Sequence, residues 1–214
     1  MKKCIKAVYM PQLEDLNLNE VADAMEGVAQ RDYVSEINWE EFSHKPIVAF
    51  DVARGDNYLF INFFVRGSYI RAVNKDFNSH VYHDSCVEFF ARIPGESEYY
   101  NFEFNCIGTA LSSKRKSRTE SSHYPDEQMA RIKTWSSLGN EPFEEKSGIH
   151  SWQVVVAIPF DMMGIDSNNI PKMIEANFYK CGDKTSIPHY VSWNKIETPA
   201  PDFHRPEFFG ELYF

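Results

Sequence analysis

The sequence predicts an all-β fold, a two-sheet antiparallel β-sandwich of the jelly-roll or immunoglobulin-like kind with short helices in its loops. The 214-residue chain is 43% hydrophobic and contains 17 Phe and 11 Tyr, whose flat rings pack well on a pleated surface. From residue 46 onward, about eight short apolar segments alternate with turn signals. Neither an internal repeat nor a second core pattern is evident, so we expect one domain over residues 1–214, with residues 1–35 as an N-terminal extension packed on it.

The elements follow in order along the chain. Residues 11–31 mix apolar and acidic positions and predict a short helix, and Gly55-Asp56-Asn57 predicts a hairpin turn between strands at 47–54 and 58–66. Further strands are predicted at SYIRAVN, SCVEFFARI, YYNFEFNCI, WQVVVAIP, MIEANFYKC, PHYVSW and FFGELYF. Residues 109–140 are polar and rich in serine, and predict a long insertion between strands with a short helix near residues 127–132. PFDMMG predicts a single helical turn.

The charge balance excludes two classes of partner. The net charge is −9, from 31 acidic and 22 basic residues, whereas nucleic acids and anionic membranes require a basic surface. No window approaches the ~18 apolar residues of a membrane span, so we expect no membrane insertion. The N-terminal residues lack the apolar segment of a signal peptide. The sequence as it stands therefore predicts a cytoplasmic protein, or a periplasmic or extracellular one if a leader has been removed.

The four cysteines lack the paired spacing of a zinc site. Cys86 and Cys106 belong to neighbouring predicted strands, so a disulfide between them is the alternative to free thiols, which we favour. His80 and His83 would point to opposite faces of an extended segment, and no third ligand is evident. The residues that would bind a metal are therefore unknown at this stage.

One predicted strand carries a polar face. Alternation places Asn101, Glu103 and Asn105 on one side of the strand. A tight turn at residues 95–96 would place Glu88 directly opposite Glu103, and Cys86 opposite Asn105. Because facing like charges destabilise a sheet, a ligand with several hydroxyls, a cation, an arginine or a shared proton must compensate for the two carboxyls.

Arg71 and Lys180 are candidates for the compensating charge. Arg71 shares a strand face with Tyr69, and a structural ion pair is its alternative role. Lys180 ends a predicted strand, where alternation places it on the face opposite Asn177 and Tyr179. This orientation argues for a structural role of Lys180.

Three segments carry a resemblance to a known family. They are YVSWNKIETPAPDFHRPEFFGELYF at residues 190–214, DSCVEFF at 84–90 and YNFEFNCIGT at 100–109. With these segments the chain resembles the family 9 carbohydrate-binding modules, in particular a family-9-like branch, over roughly residues 39–214. The resemblance implies a sugar-binding β-sandwich without catalytic activity.

The resemblance also implies a site. Related modules hold a sugar end between two aromatic rings, beside acidic and amide residues. Trp193 matches one ring and Tyr82 aligns with the other, where the best-studied pattern has Trp, and Glu88 matches the acidic ligand. Rings cover the apolar face of a sugar, and planar carboxylate, amide and guanidinium groups bond its hydroxyls. We therefore expect stacking on Trp193, with Tyr82 as a second ring. The hydroxyls would be bonded by Glu88, Asn105 and Arg71, with Asn101, Glu103 and Lys180 as further candidates.

We expect no cofactor. Related modules carry structural calcium, which stays an open alternative here because no contiguous acidic loop identifies a calcium site. The expected partner is a mono- or oligosaccharide, together with polysaccharide-degrading enzymes, since such modules normally target an attached enzyme.

Three alternatives stay open. A protein–protein interaction or scaffold domain could keep the fold without a sugar site. A glycoside hydrolase would need two carboxyls flanking the bond, and haem-binding relatives of the fold would need axial ligands. Convergence of Trp193, Glu88 and Asn105 on one concavity would favour a small polar ligand, whereas burial of Trp193 would favour the scaffold.

Overall fold

Two β-sheets packed face to face make up the computed structural model, which describes residues 2–214. The predicted all-β sandwich is confirmed. The nine strands of the first sheet are β1 (Cys4–Lys6), β4 (Glu36–Ile37), β7 (Cys86–Arg92), β8 (Tyr99–Asn105), β9 (Ala110–Arg115), β10 (Ser121–His123), β13 (Met173–Cys181), β14 (Tyr190–Ser192) and β15 (Gly210–Tyr213). The six strands of the second are β2 (Val8–Tyr9), β3 (Gln30–Tyr33), β5 (Ile47–Arg54), β6 (Tyr58–Ala72), β11 (Lys133–Ser136) and β12 (Phe143–Pro159).

The sheets are antiparallel except at two short edges. The first sheet runs β1-β15-β13-β7-β8-β9-β10, with β14 paired to both β13 and β4. The second runs β11-β12-β6-β5-β2, with β3 also paired to β5. The parallel pairs are β1 with β15 and β2 with β5.

Helices occur in the connections between strands. The α-helices are α1 (Leu18–Met25) and α2 (Asp126–Met129), and 3-10 turns cover Pro11–Asp15, Glu40–Phe42, Val81–His83, Phe160–Met163 and Pro206–Phe208. No helix within residues 2–214 has the length and apolar character that a bilayer crossing demands.

The main core lies between the two sheets and follows the alternation of strand side chains. Phe89 of β7, Phe102 of β8 and Phe178 of β13 all point inward and are fully buried. Phe178 stacks on Phe50 of the second sheet, with ring centroids 3.9 Å apart. Large aromatic pairs therefore join the two layers.

The N-terminal segment is built into the sandwich. Its strands extend both sheets, and α1, the short helix predicted within residues 11–31, packs its apolar side on the outer face of the second sheet. The helix begins at Asn17, which forms a reciprocal capping box with Glu20. Residues 2–35 thus supply sheet edges in addition to packing on the domain.

Residues 109–140 depart from the predicted insertion, because they contain three strands besides the short helix. Strand β9 was missed because it buries hydroxyls in place of apolar groups. The Ser112 hydroxyl donates to the Asn101 carbonyl, and the Ser113 hydroxyl donates to the Asn101 side chain. The two strands predicted on either side of Gly67 are one strand, β6.

Trp193 lies in the main core, so the prediction that a sugar stacks on it is wrong. Its side chain is 0% exposed and meets Phe178 edge-on at 5.5 Å between ring centroids. Its indole N–H donates to Asp32 Oδ2 at 2.8 Å. The Trp193 amide continues the pairing of β14 with β13, so its ring points to the face opposite that of Tyr190, three residues earlier.

A buried lysine–histidine pair occupies the inner face of β13, at the end of the strand. Lys180 Nζ donates to His189 Nε2 at 3.0 Å and to the Cys181 carbonyl. His189 Nδ1 lies 2.8 Å from the Ile187 carbonyl, so the neutral ring donates at Nδ1 and accepts at Nε2. The predicted orientation of Lys180, opposite Tyr179, is confirmed, and its assignment as a ligand residue is wrong.

We predict that Trp193→Ala lowers the free energy of unfolding by about 3–5 kcal/mol, because it leaves a cavity between the sheets. Trp193→Phe keeps the ring packing and loses the bond to Asp32, so a loss of about 1–2 kcal/mol is expected. Urea denaturation followed by far-ultraviolet circular dichroism measures both. The control is Tyr33→Ala at a side chain on the surface. A Trp193→Ala loss no larger than the control's would contradict the core assignment.

We also predict that His189 makes the folded protein lose stability as the pH is lowered from about 6.5, a contribution that the raised pKa values of Glu88 and Glu103 oppose in wild type and variant alike. Burial, followed by the charge of Lys180 and the neighbouring His44, lowers the pKa of His189 in the folded protein to about 2. Below its unfolded pKa of ~6.5 the unfolded chain binds a proton that the folded chain does not, so the free energy of unfolding decreases by up to about 1.4 kcal/mol per pH unit. His189→Gln should flatten this slope, whereas His123→Gln on the exposed β10 should not. Equal slopes for His189→Gln and wild type would refute the prediction.

Candidate functional site

A cavity of about 260 Å³ opens on the outer face of the nine-stranded sheet. Its floor is the middle of that sheet, and one wall is the C-terminal strap, which we define as residues 194–209. The lining residues are Tyr82, Glu88, Glu103, Arg115, Arg118, Cys181, Asp183, Tyr190, Pro201, Asp202, Phe203 and His204. A second depression, on the outer face of the other sheet, is mostly apolar and is lined by residues such as Ile47 and Phe64.

Strand register brings the floor residues together. Glu88 of β7 pairs with Glu103 of β8, and Cys86 pairs with Asn105, as the turn spacing predicted. On its other side β7 pairs with β13, which places Cys181 opposite Cys86. Because alternate side chains share a face, Glu88, Glu103 and Cys181 all point out of the sheet into the cavity.

The two facing carboxyls are almost fully buried, with exposures of 3% for Glu88 and 4% for Glu103. Burial raises the pKa of Glu103 to about 7. Burial and the charge of Glu103 raise the pKa of Glu88 well above its ordinary value. The pair therefore favours holding a proton near neutral pH, which relieves the repulsion between like charges.

The hydrogen bonds of this pair are incomplete. Glu88 Oε1 accepts the Cys181 thiol at 3.0 Å, and Glu103 Oε1 accepts the Asn101 amide at 2.8 Å. Glu103 Oε2 is buried and has no hydrogen-bond partner among residues 2–214. An unpartnered buried carboxyl oxygen is costly, so this atom needs a donor that a ligand in the cavity can supply.

A polar chain leads from the floor to the rim. Arg115 Nε donates to Asn101 Oδ1 at 2.7 Å, and the Asn101 amide in turn donates to Glu103. Asn101, a predicted ligand residue, thus lies beneath the cavity and orients Glu103. Arg115 is the nearby positive charge that the sequence analysis had assigned to Arg71 or Lys180.

Aromatic rings and a carboxyl form the walls. Tyr82 lies in the 3-10 turn Val81–His83, where its hydroxyl is 2.8 Å from His80 Nδ1. Tyr190 of β14 packs edge-on against Phe42, with centroids 4.9 Å apart. Asp183, just beyond β13, has its pKa raised by burial to about 6.

The C-terminal strap contributes the rim. Arg118 approaches Asp202 at 3.9 Å, and the Tyr99 hydroxyl is 3.1 Å from His204 Nδ1. Burial, followed by the charges of Arg115 and Arg118, lowers the pKa of His204 to about 3, so this ring is neutral near pH 7. The rim therefore offers both hydrogen-bond donors and acceptors.

Two predicted ligand residues belong to a different cluster. Asn105 donates to Asp84 Oδ2 at 3.0 Å, and Arg71 Nε lies 3.4 Å from Asp84 Oδ1. Asp84 is fully buried and also accepts the backbone amides of Val73 and Asn74. The assignments of Asn105 and Arg71 to the ligand are therefore wrong, because Asn105 donates to the buried Asp84 carboxylate and Arg71 forms an ion pair with it.

Of the eight predicted residues, Tyr82, Glu88 and Glu103 line the cavity and Asn101 supports it. The prediction missed Tyr190, Arg115 and Asp183. Alternation along the strand that contains Tyr190 and Trp193 places these two rings on opposite faces, so it could have identified Tyr190 as the outward-facing ring. Arg115 belongs to the basic cluster of residues 114–118. Asp183 carried no sequence signal.

The cysteines are unbridged. Cys86 faces outward and Cys106 inward, and both thiols are free. Within residues 2–214, Cys86, Glu88 and Cys181 form a cluster whose donor atoms all lie within 4.8 Å of one another. With two sulfurs it does not suit calcium, which takes oxygen ligands, so structural calcium stays an open alternative.

Comparisons with known proteins agree on one family. The chain matches the family model for carbohydrate-binding family 9 over residues 20–214. A candidate carbohydrate-binding protein from Bacteroides uniformis is 33% identical, with 100% of both chains covered and a TM-score of 0.94.

Two family 9 structures from Caldicellulosiruptor kristjanssonii are more distant. The glucose complex is 14% identical, with a TM-score of 0.58 over 99% of this chain and 95% of that one. The cellotriose complex is 14% identical, with a TM-score of 0.57 over 99% and 93%. At this identity they show a shared fold. A search of curated proteins found no match.

Proposed function

Because this chain belongs to carbohydrate-binding family 9, we propose that it binds a mono- or oligosaccharide without catalysis, in the cavity above Glu88 and Glu103. The observation that carries the proposal is the unpartnered Glu103 Oε2 at the floor of this cavity. A sugar hydroxyl is a donor of the right size and polarity for this atom.

The lining suits a sugar chemically. Tyr82 and Tyr190 offer ring surface for the apolar C–H face, while the carboxyls, Arg115 and Asp183 offer acceptors and donors for hydroxyls. The volume of about 260 Å³ is near the lower end of ligand pockets, typically ~300–1,000 Å³. One or two sugar rings, rather than a long chain, would be enclosed.

The structurally similar modules guide the choice of ligand. One is bound to glucose and another to cellotriose. We propose neutral glucose-type sugars as the first ligands to test on this chain. A polysaccharide-degrading enzyme is then the expected partner, since the module alone would only supply targeting.

A scaffold role is the second candidate, and two observations favour it. Trp193, the ring predicted to stack on the sugar, is buried in the core. The outer face of the second sheet presents an apolar depression in which Ile47 is 65% exposed. An interaction domain of this kind would not respond to sugars.

Hydrolysis is a less favoured alternative. The carboxyls Glu88 and Glu103 face each other, as in retaining glycosidases, whose two carboxyls are ~5–5.5 Å apart. A retaining enzyme needs one carboxyl ionised as the nucleophile and one protonated as the acid. Because burial raises the pKa of both groups, a pair that shares one proton meets this need, and the assay for cleaved products decides the alternative.

We predict that calorimetric titration with glucose, cellobiose and cellotriose gives saturable binding to the wild type. Tyr82→Ala and Tyr190→Ala should each weaken it at least about tenfold, since each removes a ring surface. Glu103→Gln should weaken it about 10- to 100-fold, because a charge-assisted acceptor is lost.

Matched controls are Tyr33→Ala and Glu144→Gln, both at surface positions. They should bind as the wild type does, and chromatography of the sugars after incubation should show no cleavage. If the folded protein binds none of these sugars, and none of a wider panel that includes galactose, mannose and xylose, the scaffold role is favoured. Cleaved products would favour the hydrolase.

A further inference from the structure

The floor of the cavity contains a second grouping of chemically reactive side chains. Cys86 and Glu88 are two residues apart on β7 and so share its outer face, and Cys181 is the cross-strand partner of Cys86 on β13. All three side chains are nearly inaccessible, with exposures of 0%, 3% and 1%. No regular sequence motif joins them, because the sheet alone brings them together.

The donor atoms lie close enough together to meet on a small thiophilic ion after small movements. Zn²⁺ binds sulfur at ~2.3 Å and carboxylate oxygen at ~2.0–2.2 Å, so tetrahedral ligand atoms lie ~3.3–3.8 Å apart. Here the three donor atoms lie within 4.8 Å of one another, and Cys181 Sγ is 3.0 Å from Glu88 Oε1. Small rotamer adjustments would bring all three onto one ion.

We propose that Cys86, Glu88 and Cys181 bind a thiophilic divalent cation, Zn²⁺ by preference. Two thiolates and one carboxylate form a donor set of net charge −3 that Zn²⁺ accepts and that calcium or magnesium does not favour. Three protein ligands leave the fourth position open, and Glu88 and Cys181 both line the cavity. A water or other small oxygen ligand would complete the coordination from the cavity side.

A second observation points the same way. Glu103, directly opposite Glu88, keeps its Oε2 buried and without a partner in the same cavity. A metal-bound water would donate a hydrogen bond to such an oxygen, as acceptors beside metal ligands commonly do. The cation would also offset part of the negative charge at the facing carboxyls.

Binding requires the thiols to lose their protons. In the metal-free protein the Cys181 thiol donates to Glu88 Oε1, so this S–H bond and its hydrogen bond are given up. The ion replaces the protons on Cys86 and Cys181, which leave to solvent. No oxidant or reductant takes part.

The test uses the full chain, reduced, freed of metal by chelation and desalted, with Zn²⁺ alone as the probe. Calorimetry should show one equivalent bound, and the melting temperature should rise, because the ion binds the folded state. Co²⁺ in parallel should give thiolate-to-metal charge-transfer absorption, which weak binding at surface histidines does not produce.

The variants Cys86→Ser, Cys181→Ser and Glu88→Gln test the ligands. Each cysteine variant should lower the charge-transfer absorption to about half and weaken Zn²⁺ binding by about a hundredfold or more, and the Cys86→Ser/Cys181→Ser double variant should abolish the absorption. Glu88→Gln should keep the sulfur signal with weaker binding. Cys106→Ser, on the opposite face, and Cys4→Ser, at the surface, are controls that should bind normally.

Wild-type protein that shows no saturable one-equivalent binding would overturn the proposal, whatever the folding of the variants. So would charge-transfer absorption that survives in the Cys86→Ser/Cys181→Ser double variant. Sugar titration of the chelated protein is a separate measurement. Failure of the metal site therefore leaves the sugar proposal standing, and the reverse holds as well.

Discussion

Two carboxyl groups face each other in the middle of the nine-stranded sheet, and the polar contacts on the outer face of that sheet are arranged around them. Glu88 and Glu103 are held by main-chain register, so they cannot move apart without breaking the ladder between β7 and β8. Like charges in this position destabilise a sheet. Burial raises the pKa of both carboxyls, so they hold a proton more readily. The Asn101 amide donates to Glu103 and the Cys181 thiol donates to Glu88, and the cavity above them admits polar ligands.

The C-terminal strap covers this face of the sheet and shields it from solvent. Phe203 stacks on Tyr179 with ring centroids 4.2 Å apart, and the Tyr179 hydroxyl donates to the Phe203 carbonyl. Asn177 fixes the start of the strap by accepting the Asn194 amide and donating to its carbonyl. A surface sheet would hydrate its carboxyls. Under the strap, a few hydrogen bonds from protein groups replace the water around the carboxyls. Glu103 Oε2 lacks such a bond, so a ligand that donates to this oxygen gains the most binding energy.

The alternation of side chains along a strand predicted which residues share a face of that strand, but it did not predict contacts between distant segments. The facing of Glu88 and Glu103, and the orientation of Lys180, follow from period two and one tight turn, and both were predicted correctly. Trp193 was misassigned because family resemblance identified an aromatic segment without fixing which ring faces outward. Strand β9 escaped prediction because serines that bond to Asn101 carry no hydrophobic signal.

Long-range polar contacts account for the other errors. Arg71 and Asn105 have side chains suited to a sugar, but Asn105 donates to fully buried Asp84 and Arg71 forms an ion pair with the same carboxylate. Only the fold shows that Asp84 lies within reach of both. The cluster of Cys86, Glu88 and Cys181 was likewise hidden, because two of its members lie on one strand and the third on another.

Strand β13 separates two buried polar groups of opposite sign. Lys180 faces inward, with His189 and a carbonyl as its contacts, while Cys181, the next residue, faces the carboxyls on the outer side. Burial lowers the pKa of Lys180, whereas the charges of the cysteines and Glu88 raise it, so deprotonating the outer cluster would favour a charged lysine beneath it. The inner lysine thus compensates part of the negative charge that a bound cation would otherwise have to balance alone. Negative charge on the outer cluster would thus stabilise a lysine whose direct contacts in the interior are a histidine and a carbonyl.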